Sequence, residues 1–380
     1  MSRLLLALSL AALSVAQAAA ADPAKLDPSL PYQAQKSNPV TYDVEFAFVV
    51  TPPYHTKTLK VWVPIPPTDA GQEVSTPTFS TFPMTVKPQI GAEKVFGNQF
   101  AYFEFDHPEG AQIIRTAFKV KVWELRWNMD AAKVAKVADW PTAFQPYLQT
   151  EKQAVVVNDD VRKLAQLFVP KPQNTAQDFA SVMAGVNSFM KYDHDAASLG
   201  ASSEFAIKNQ RGHCSDYHGL CSALGRALGY PTRMTYGVNP FPKNSPSHCK
   251  MEAFLPPYGW VSFDVSETQR LIADVKKSDK LDAKQKDALT DAANQRLNRG
   301  FRDNTWFVQT CGSDYDLAPP AAKRAPVVRT IYAEADGVAL PEPDPANKEK
   351  REFSWMTAHK YTADKQAPYP FKDFKTLQEK

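Results

Sequence analysis

Cys214 stands where a cysteine would act as a nucleophile. It follows Gly212, a break before a helix, and the apolar residues after it recur at helical spacing as far as Gly229 and Pro231, which are helix-stop signals. Unpaired backbone N–H groups at the start of a helix carry partial positive charge, which favours a thiolate and lowers the pKa of a thiol below its free value of about 8.5. The sequence therefore predicts a reactive thiolate in the first turn of a short, buried helix.

A nucleophilic thiol needs a base, and the base needs a group that orients it. Of the seven histidines, His248 begins a strand-like segment that runs to Leu255. A turn rich in Pro and Gly follows, and a second strand-like segment ends at Asp264. This pattern predicts a β-hairpin that brings His248 and Asp264 together. Cys214, His248 and Asp264 are thus a predicted nucleophile, base and orienter.

Two other histidines compete for the role of base. His213 is next to Cys214 in sequence, and adjacent helical residues point apart. His218 lies on the same helical face as Cys214 but one turn deeper, where a packed or hydrogen-bonded histidine is the usual finding. Asp216 is interpreted as a first-turn acid that the helix dipole favours. His248 remains the predicted base.

The motifs around these residues resemble the transglutaminase-like superfamily. They are Gly-His-Cys-Ser-Asp-Tyr-His-Gly-Leu-Cys at 212–221, Gly-Tyr-Pro-Thr-Arg at 229–233, and Leu-Pro-Pro-Tyr-Gly-Trp-Val-Ser-Phe-Asp at 255–264. The resemblance covers about residues 204–265, more weakly about 155–340. It implies an α+β papain-like core, with helices packed on an antiparallel sheet, and assigns a catalytic triad to Cys214, His248 and Asp264. Glu252 matches the family, but Lys250 replaces its usual aromatic residue and could discourage protonation of His248.

These residue types imply acyl transfer on an amide bond. The thiolate would attack a Gln side chain, a peptide or an isopeptide, and His248 would protonate the leaving amine to give a thioester. Water or a Lys amine would then resolve it, so hydrolysis and transamidation both stay open. We favour hydrolysis, since the sequence has no D-x-D-x-D-G calcium loop. The expected oxyanion donors are the Cys214 N–H and a side chain just upstream, Gln210 or Asn209.

A different class of function is also consistent with this fold. A catalytically silent binding or structural module of the cell envelope could keep the same architecture, although the intact triad favours an enzyme. A thiol oxidoreductase is disfavoured because no Cys-x-x-Cys occurs. The expected partner is a protein or peptide substrate. The net charge of +3, from 44 basic and 41 acidic residues, does not indicate nucleic-acid binding.

The chain begins with a pattern typical of export. Residues 1–21 have one basic residue, a short apolar run and an Ala-rich exit, which predicts a cleaved signal peptide and a periplasmic or extracellular protein. The apolar run is shorter than the roughly 20 residues that span a bilayer. No transmembrane segment is expected.

The rest of the chain predicts two domains and an extension. Alternating apolar residues predict a small β-sandwich-like domain at 22–145, followed by the core at 146–340 with a charged helical insertion at 266–303. Residues 341–380 are interpreted as a tail with an edge strand near Phe353–Trp355.

The four cysteines raise the question of disulfides and metal. Export permits disulfides, and Cys249 with Cys311 is the favoured pair because both lie on predicted strands of one sheet. Cys221 is expected to be an inert core thiol. No metal or other cofactor is expected, since the His and Cys residues at 213–221 offer two ligands at most and have no second pair nearby.

Overall fold

The computed structural model describes residues 26–173, 176–243, 246–343 and 353–377. The predicted signal peptide lies outside these residues. The strands are β1 Gln35–Val50, β2 Thr58–Ile65, β3 Gln72–Val74, β4 Thr78–Phe82, β5 Gln89–Ala92, β6 Gln99–Asp106, β7 Gln112–Arg126, β8 Lys191–Tyr192, β9 Arg211–Gly212, β10 Thr232–Val238, β11 Ser247–Phe254, β12 Trp260–Phe263, β13 Phe301–Arg302, β14 Phe307–Cys311, β15 Tyr332–Ala335, β16 Val338–Ala339 and β17 Trp355–Ala363. The helices are α1 Gln145–Leu148, α2 Asp159–Phe168, α3 Ala176–Phe189, α4 Ser203–Asn209, α5 Cys214–Ala227, α6 Val265–Lys277 and α7 Ala283–Asn298.

Two antiparallel sheets pack against each other in the strand-rich part of the molecule. Sheet A has the order β13-β7-β1-β17, with β3 and β4 also paired to β7, and sheet B has the order β16-β15-β2-β6-β5. Alternate residues of β1, such as Val44, Phe46 and Phe48, share a core with Leu59 and Val61 of β2. This packing follows from the period-2 alternation of the sequence. Strands from residues 301–363 complete both sheets, so strand pairing crosses the predicted boundaries at 145 and 340.

A second core surrounds α5. Sheet C has the order β12-β11-β10-β14, and every residue from Cys214 to Arg226 of α5 is buried against this sheet or against the neighbouring helices. The helix ends where the sequence predicted. Gly229 has a φ of 85°, and the Tyr230 N–H returns to the Gly225 carbonyl at 2.9 Å. The predicted α+β core, with helices on an antiparallel sheet, is confirmed.

The predicted hairpin is formed by β11 and β12. Its antiparallel register pairs Phe254 with Trp260 and Met251 with Phe263. One further step along the ladder places Lys250, and not His248, directly opposite Asp264. His248 is two residues farther along β11, on the same side of the strand as Lys250.

The C-terminal residues are not a loose tail. β17 pairs with β1 over nine residue pairs, from Tyr42–Ala363 to Val50–Trp355. The chain then returns to the helical core, where Phe371 is buried against Phe301 and the Pro370 carbonyl accepts a hydrogen bond from Arg296. The edge strand predicted near Phe353–Trp355 is present as β17. The rest of the segment is not a loose tail, because the buried Phe371 and the Pro370 carbonyl hold it against the core.

The favoured disulfide is also wrong. All four cysteines are free thiols. Cys249 on β11 pairs with Tyr236 of β10, whereas Cys311 on β14 pairs with Thr235 on the other edge of β10. A whole strand therefore separates the two cysteines, beyond the reach of a disulfide.

Among the described residues, no helix has the length and apolar character needed to cross a membrane.

Candidate active site

A cavity of about 420 Å³ opens at the N-terminal end of α5. Cys214 and His248 both line it, and Tyr192 and Glu267 form part of its wall. The cysteine is 7% exposed and the histidine 3% exposed, so both side chains line the cavity while being largely shielded from solvent. The structure thus brings the predicted nucleophile and base together.

Local sequence holds the start of α5 in place. Asp216 accepts a hydrogen bond from the His213 backbone N–H at 3.2 Å and another from the Ser198 hydroxyl. Gly212 permits this arrangement, because a Cβ atom at that position would lie 2.5 Å from the Asp216 carboxylate. Asp216 is therefore a helix-start residue, as the sequence indicated. Burial raises the pKa of Asp216 to about 6.

Asp264 binds His248 from the far side. His248 Nε2 lies 2.7 Å from Asp264 Oδ2, and the Glu267 N–H donates to Oδ1 at 3.1 Å. Asp264 is also the residue that caps the start of α6, so one carboxylate orients the imidazole and begins the next helix. The contact is consistent with the predicted base–orienter pair.

Lys250 shares the same carboxylate. Its ammonium lies 2.6 Å from Asp264 Oδ2 and 2.8 Å from Asp303 Oδ1, and all three side chains are almost fully buried. Burial lowers the pKa of Lys250, but Asp264 and Asp303 outweigh that effect and raise it. The lysine points into the protein and is absent from the cavity wall. It takes part in a balanced group of two carboxylates, one ammonium and the imidazole.

The electrostatics of the cavity favour a charged Cys214–His248 pair. Hydrogen bonding from the Cys249 thiol is the largest influence on the pKa of Cys214 and lowers it. Burial raises this pKa, but the charge and hydrogen bond of His248 lower it further, so that it lies well below the usual range. Burial lowers the pKa of His248, but Asp264 and Cys214 outweigh it and raise the pKa to about 9. Lys250 therefore does not prevent protonation of His248, contrary to the expectation from sequence.

Burial raises the pKa of Asp264 as well, yet His248 and Lys250 hold it well below the ordinary value. The carboxylate stays ionised across the pH range in which the Cys214–His248 pair is charged. It can therefore stabilise an imidazolium without taking its proton.

The other two histidines near α5 have structural partners. His218 Nε2 accepts the Val265 N–H at 3.0 Å, and His213 Nε2 lies 2.9 Å from an Arg329 nitrogen. Burial is the main reason that the pKa of each falls to about 4. Both are neutral near pH 7, as expected of packed histidines.

Neither predicted upstream oxyanion donor lines the cavity. Asn209 and Gln210 are exposed at the end of α4, and the Asn209 amide donates to the Phe205 carbonyl at 2.9 Å. Tyr192 of β8 does line the cavity. Burial raises its pKa beyond the ordinary range and the nearby Cys214 adds to that effect, so the phenol keeps its proton.

Several cavity residues were not predicted from the sequence. Arg329 comes from the segment before β15, and Tyr369 and Lys372 come from the C-terminal segment. The only signal was Tyr369-Pro-Phe371, a pair of aromatic residues in a polar stretch. Such residues favour packing but do not reveal where they pack.

Among the described residues, no group of three or more His, Cys, Asp or Glu side chains converges as a metal site.

Comparisons with known proteins agree with this architecture. The family model of the transglutaminase-like superfamily matches residues 162–265. A crystal structure from Cytophaga hutchinsonii, described as a candidate cysteine protease, shares 14% identity over 89% of this chain and 95% of its own, with a TM-score of 0.58. The periplasmic domain of TgpA from Pseudomonas aeruginosa shares 14% identity over 63% of this chain and 91% of its own, with a TM-score of 0.33. No curated protein matches the sequence. Residues 162–265 therefore match a transglutaminase-like domain, within a fold similar to that of the Cytophaga hutchinsonii protein.

Proposed function

We propose that this protein is a cysteine-dependent enzyme that transfers acyl groups from amide bonds. Cys214 is the nucleophile, His248 the general acid and base, and Asp264 the residue that orients His248. One observation carries the proposal: the first residue of α5 is a cysteine facing a cavity, beside a histidine that a carboxylate holds at 2.7 Å. A structural cysteine has no need of these neighbours.

The reaction follows from the charges of the pair. The Cys214 thiolate attacks the amide carbonyl carbon, and the imidazolium of His248 gives its proton to the nitrogen as the C–N bond breaks. A thioester and a free amine result. His248, now neutral, removes a proton from water or from an acceptor amine, which attacks the thioester and releases a carboxylic acid or a new amide. The proton returns to the Cys214–His248 pair, so the cycle closes.

The oxyanion needs donors near Cys214. The backbone N–H of Cys214 is one, because the first N–H groups of a helix have no partner within it. We infer that the Tyr192 hydroxyl is the second, since Tyr192 lines the cavity and stays protonated. Asn209 and Gln210 remain weaker predictions because both are exposed outside the cavity.

Hydrolysis is our preferred outcome for the thioester. The structural neighbour from Cytophaga hutchinsonii is described as a cysteine protease candidate, and proteolysis is the hydrolytic form of the same chemistry. Transamidation differs only in the acceptor, so a single experiment can measure both outcomes.

The test uses p-nitrophenyl acetate, a small ester whose activated carbonyl needs no binding pocket. We expect a burst of p-nitrophenol, an acetyl group on Cys214 by mass spectrometry, and turnover to acetate, or to an acetylated amine when glycinamide is added. Cys214→Ala removes the burst and His248→Ala slows it by about 10²-fold or more. If Cys214 is never acylated, or acylates equally fast without His248, the protein is a silent binding or structural module.

We also propose that the protein is exported. The support is the pattern of residues 1–21, with its basic start, apolar run and Ala-rich exit. Cell fractionation with N-terminal sequencing tests this directly. A mature protein that begins near residue 22 outside the cytoplasm agrees with export, and an intact N-terminus inside the cytoplasm contradicts it.

A further inference from the structure

We propose that the substrate carries a carboxylate near the amide that Cys214 attacks, and that Lys243, Arg270 and Lys372 receive this carboxylate. The inference rests on the proposed function and specifies its substrate class as acidic peptides. It comes from an imbalance of charge around the cavity.

Among the described residues, four cationic side chains line the cavity but only one carboxylate does. The cations are Lys243, Arg270, Arg329 and Lys372, and the carboxylate is Glu267. They come from separate parts of the chain: the segment before β11, helix α6, the segment before β15 and the C-terminal segment. Their convergence is a property of the fold and not of one charged stretch.

The single carboxylate is shared. Lys243 Nζ lies 3.2 Å and Arg270 Nη1 lies 3.0 Å from the same oxygen of Glu267. Glu267 is 4% exposed in its side chain, whereas those of Lys243 and Arg270 are 19% and 38% exposed. The Glu267 carboxylate therefore lies beneath Lys243 and Arg270 and neutralises one of their two positive charges. The second positive charge remains at the cavity wall.

Lys372 adds a second unbalanced charge. It is exposed at the cavity rim, and within the described parts of the chain no carboxylate forms an ion pair with it. Arg329 does not add a third, because its Nη2 lies 2.6 Å from Glu342. The cavity wall thus has an excess of about two positive charges.

Charges behind the cavity do not cancel this excess. Asp264 and Asp303 are buried, and they contact the His248 imidazole and the Lys250 ammonium. Among the described residues that line the cavity, the Cys214 thiolate is the only anion besides Glu267; the His248 imidazolium balances it, and both are neutral once the thioester has formed. Behind the wall, Asp216 is a further buried carboxylate, which reduces the positive excess but does not cancel it. A carboxylate next to the scissile amide would therefore be attracted to Lys243, Arg270 and Lys372.

The test compares two alkylating agents of nearly equal size on the full mature protein. Iodoacetate is an anion and iodoacetamide is neutral. The rate constant for iodoacetate divided by that for iodoacetamide at Cys214 therefore measures the electrostatic potential of the cavity. We expect Lys243→Gln and Lys372→Gln each to lower this ratio about two- to threefold, and the double variant about fivefold to tenfold. Added salt should reduce the ratio in the wild type.

Matched variants separate charge from disturbance. Lys372→Arg keeps the charge and should keep the ratio. Lys87→Gln removes an exposed lysine outside the cavity and should leave the ratio unchanged. A fall in the ratio with Lys372→Arg, or an equal fall with Lys87→Gln, overturns the assignment.

Peptides then distinguish two sources of the carboxylate. Protection of Cys214 from iodoacetamide is measured with N-acetyl-Ala-Glu-amide, which has a side-chain carboxylate, N-acetyl-Ala-Gln, which has a terminal one, and N-acetyl-Ala-Gln-amide, which has none. We expect at least one acidic peptide to protect at lower concentration than the neutral peptide, and the Lys243→Gln, Lys372→Gln double variant to abolish the difference. Equal protection by all three peptides contradicts the proposal.

Failure of this inference differs from failure of the proposed function. Suppose that Cys214 reacts quickly with iodoacetamide at neutral pH, but the iodoacetate-to-iodoacetamide rate ratio does not change in the lysine variants. The proposed nucleophile is then supported and the acidic substrate class is contradicted. If Cys214 reacts with neither agent, the proposed function falls and the substrate class falls with it.

Discussion

Asp264 is the residue on which most of the site depends. Its Oδ2 contacts both His248 and Lys250, and its Oδ1 accepts the Glu267 N–H. Lys250 would compete with His248 for this carboxylate if it had no other partner. Asp303 supplies one at 2.8 Å. The proposed function therefore needs Asp303 as a positioning residue, although it never touches the cavity.

The role of Asp303 gives a pH prediction. Asp303→Asn removes a negative charge, so that Lys250 pairs with Asp264 alone. Because less negative charge then remains to stabilise the imidazolium, we expect the pKa of His248 to fall from about 9. The imidazolium of the variant should therefore lose its proton about one pH unit earlier than that of the wild type. The measurement is the pH titration of the His248 imidazole by NMR, because p-nitrophenolate leaves without a proton and its ester does not report the acid. Asp43→Asn, at an exposed ion pair with Lys119, is the control that should not move it, and equal profiles for wild type and Asp303→Asn contradict the role.

Cys249 gives a second prediction at this scale. Its thiol is the largest influence that lowers the pKa of Cys214, so Cys249→Ala should raise the pH midpoint of Cys214 alkylation by about one unit, the size expected for loss of a hydrogen bond to a charged group. Cys249→Ser keeps a donor and should restore most of the shift. Cys221→Ala, which deletes another fully buried thiol of the same core, serves as the control. A midpoint that stays in place in Cys249→Ala shows that the thiol does not act on Cys214.

At the scale of elements, helix α5 and the β11–β12 hairpin place the site. The helix was predictable because its limits are local: Gly212 before it and Gly229 after it. The hairpin was predictable from its turn. The register was not, since the sequence does not say which β11 residue stands opposite Asp264. The sequence therefore showed only that Lys250 departs from the family pattern. Its ion pair with Asp264 could be identified only from the structure.

Gly212 sets the start of α5 and can be tested. A methyl group there would meet the Asp216 Cβ at 2.7 Å, and φ is 156°. We expect Gly212→Ala to lower the free energy of unfolding by about 1–3 kcal/mol and to slow Cys214 alkylation, because the N-terminus of α5 shifts. Gly110→Ala is the control: its φ is positive at 67° but no atom lies near, so it should lose only about 1 kcal/mol. Urea unfolding and iodoacetamide rates measure both, and a Gly212→Ala variant as stable and reactive as wild type argues against this account.

At the scale of the whole molecule, the C-terminal segment joins the strand-rich layers to the helical core. β17 completes sheet A, and residues 369–372 then reach the cavity beside α6. Composition made this segment look like a tail, since its apolar residues are sparse. Sequence predicted the core and the proposed triad because those signals are local or belong to motifs. It could not predict contacts that join residue 371 to residue 301 or Lys372 to the cavity, since these depend on the three-dimensional path.

Phe371 tests whether the chain end is structural. It is 3% exposed, its ring lies 6.1 Å from that of Phe301, and Lys250 Nζ lies 5.0 Å from its centroid. We expect Phe371→Ala to lower the free energy of unfolding by about 3 kcal/mol. Phe82→Ala, at a side chain 60% exposed, should change it little. Equal urea midpoints for both variants would mean that the chain end does not hold the core.

The charged Cys214–His248 pair is tested most directly by the pH dependence of Cys214 alkylation, measured with iodoacetamide by mass spectrometry on the unreduced protein and on His248→Ala. The pKa of Cys214 lies well below its ordinary value and that of His248 is about 9. The wild type should therefore react at a pH well below the ordinary thiol pKa of about 8.5, and His248→Ala should need a pH nearer that value. A Cys214 that is inert, or whose profile is the same in both proteins, would contradict the pair and the catalytic function built on it.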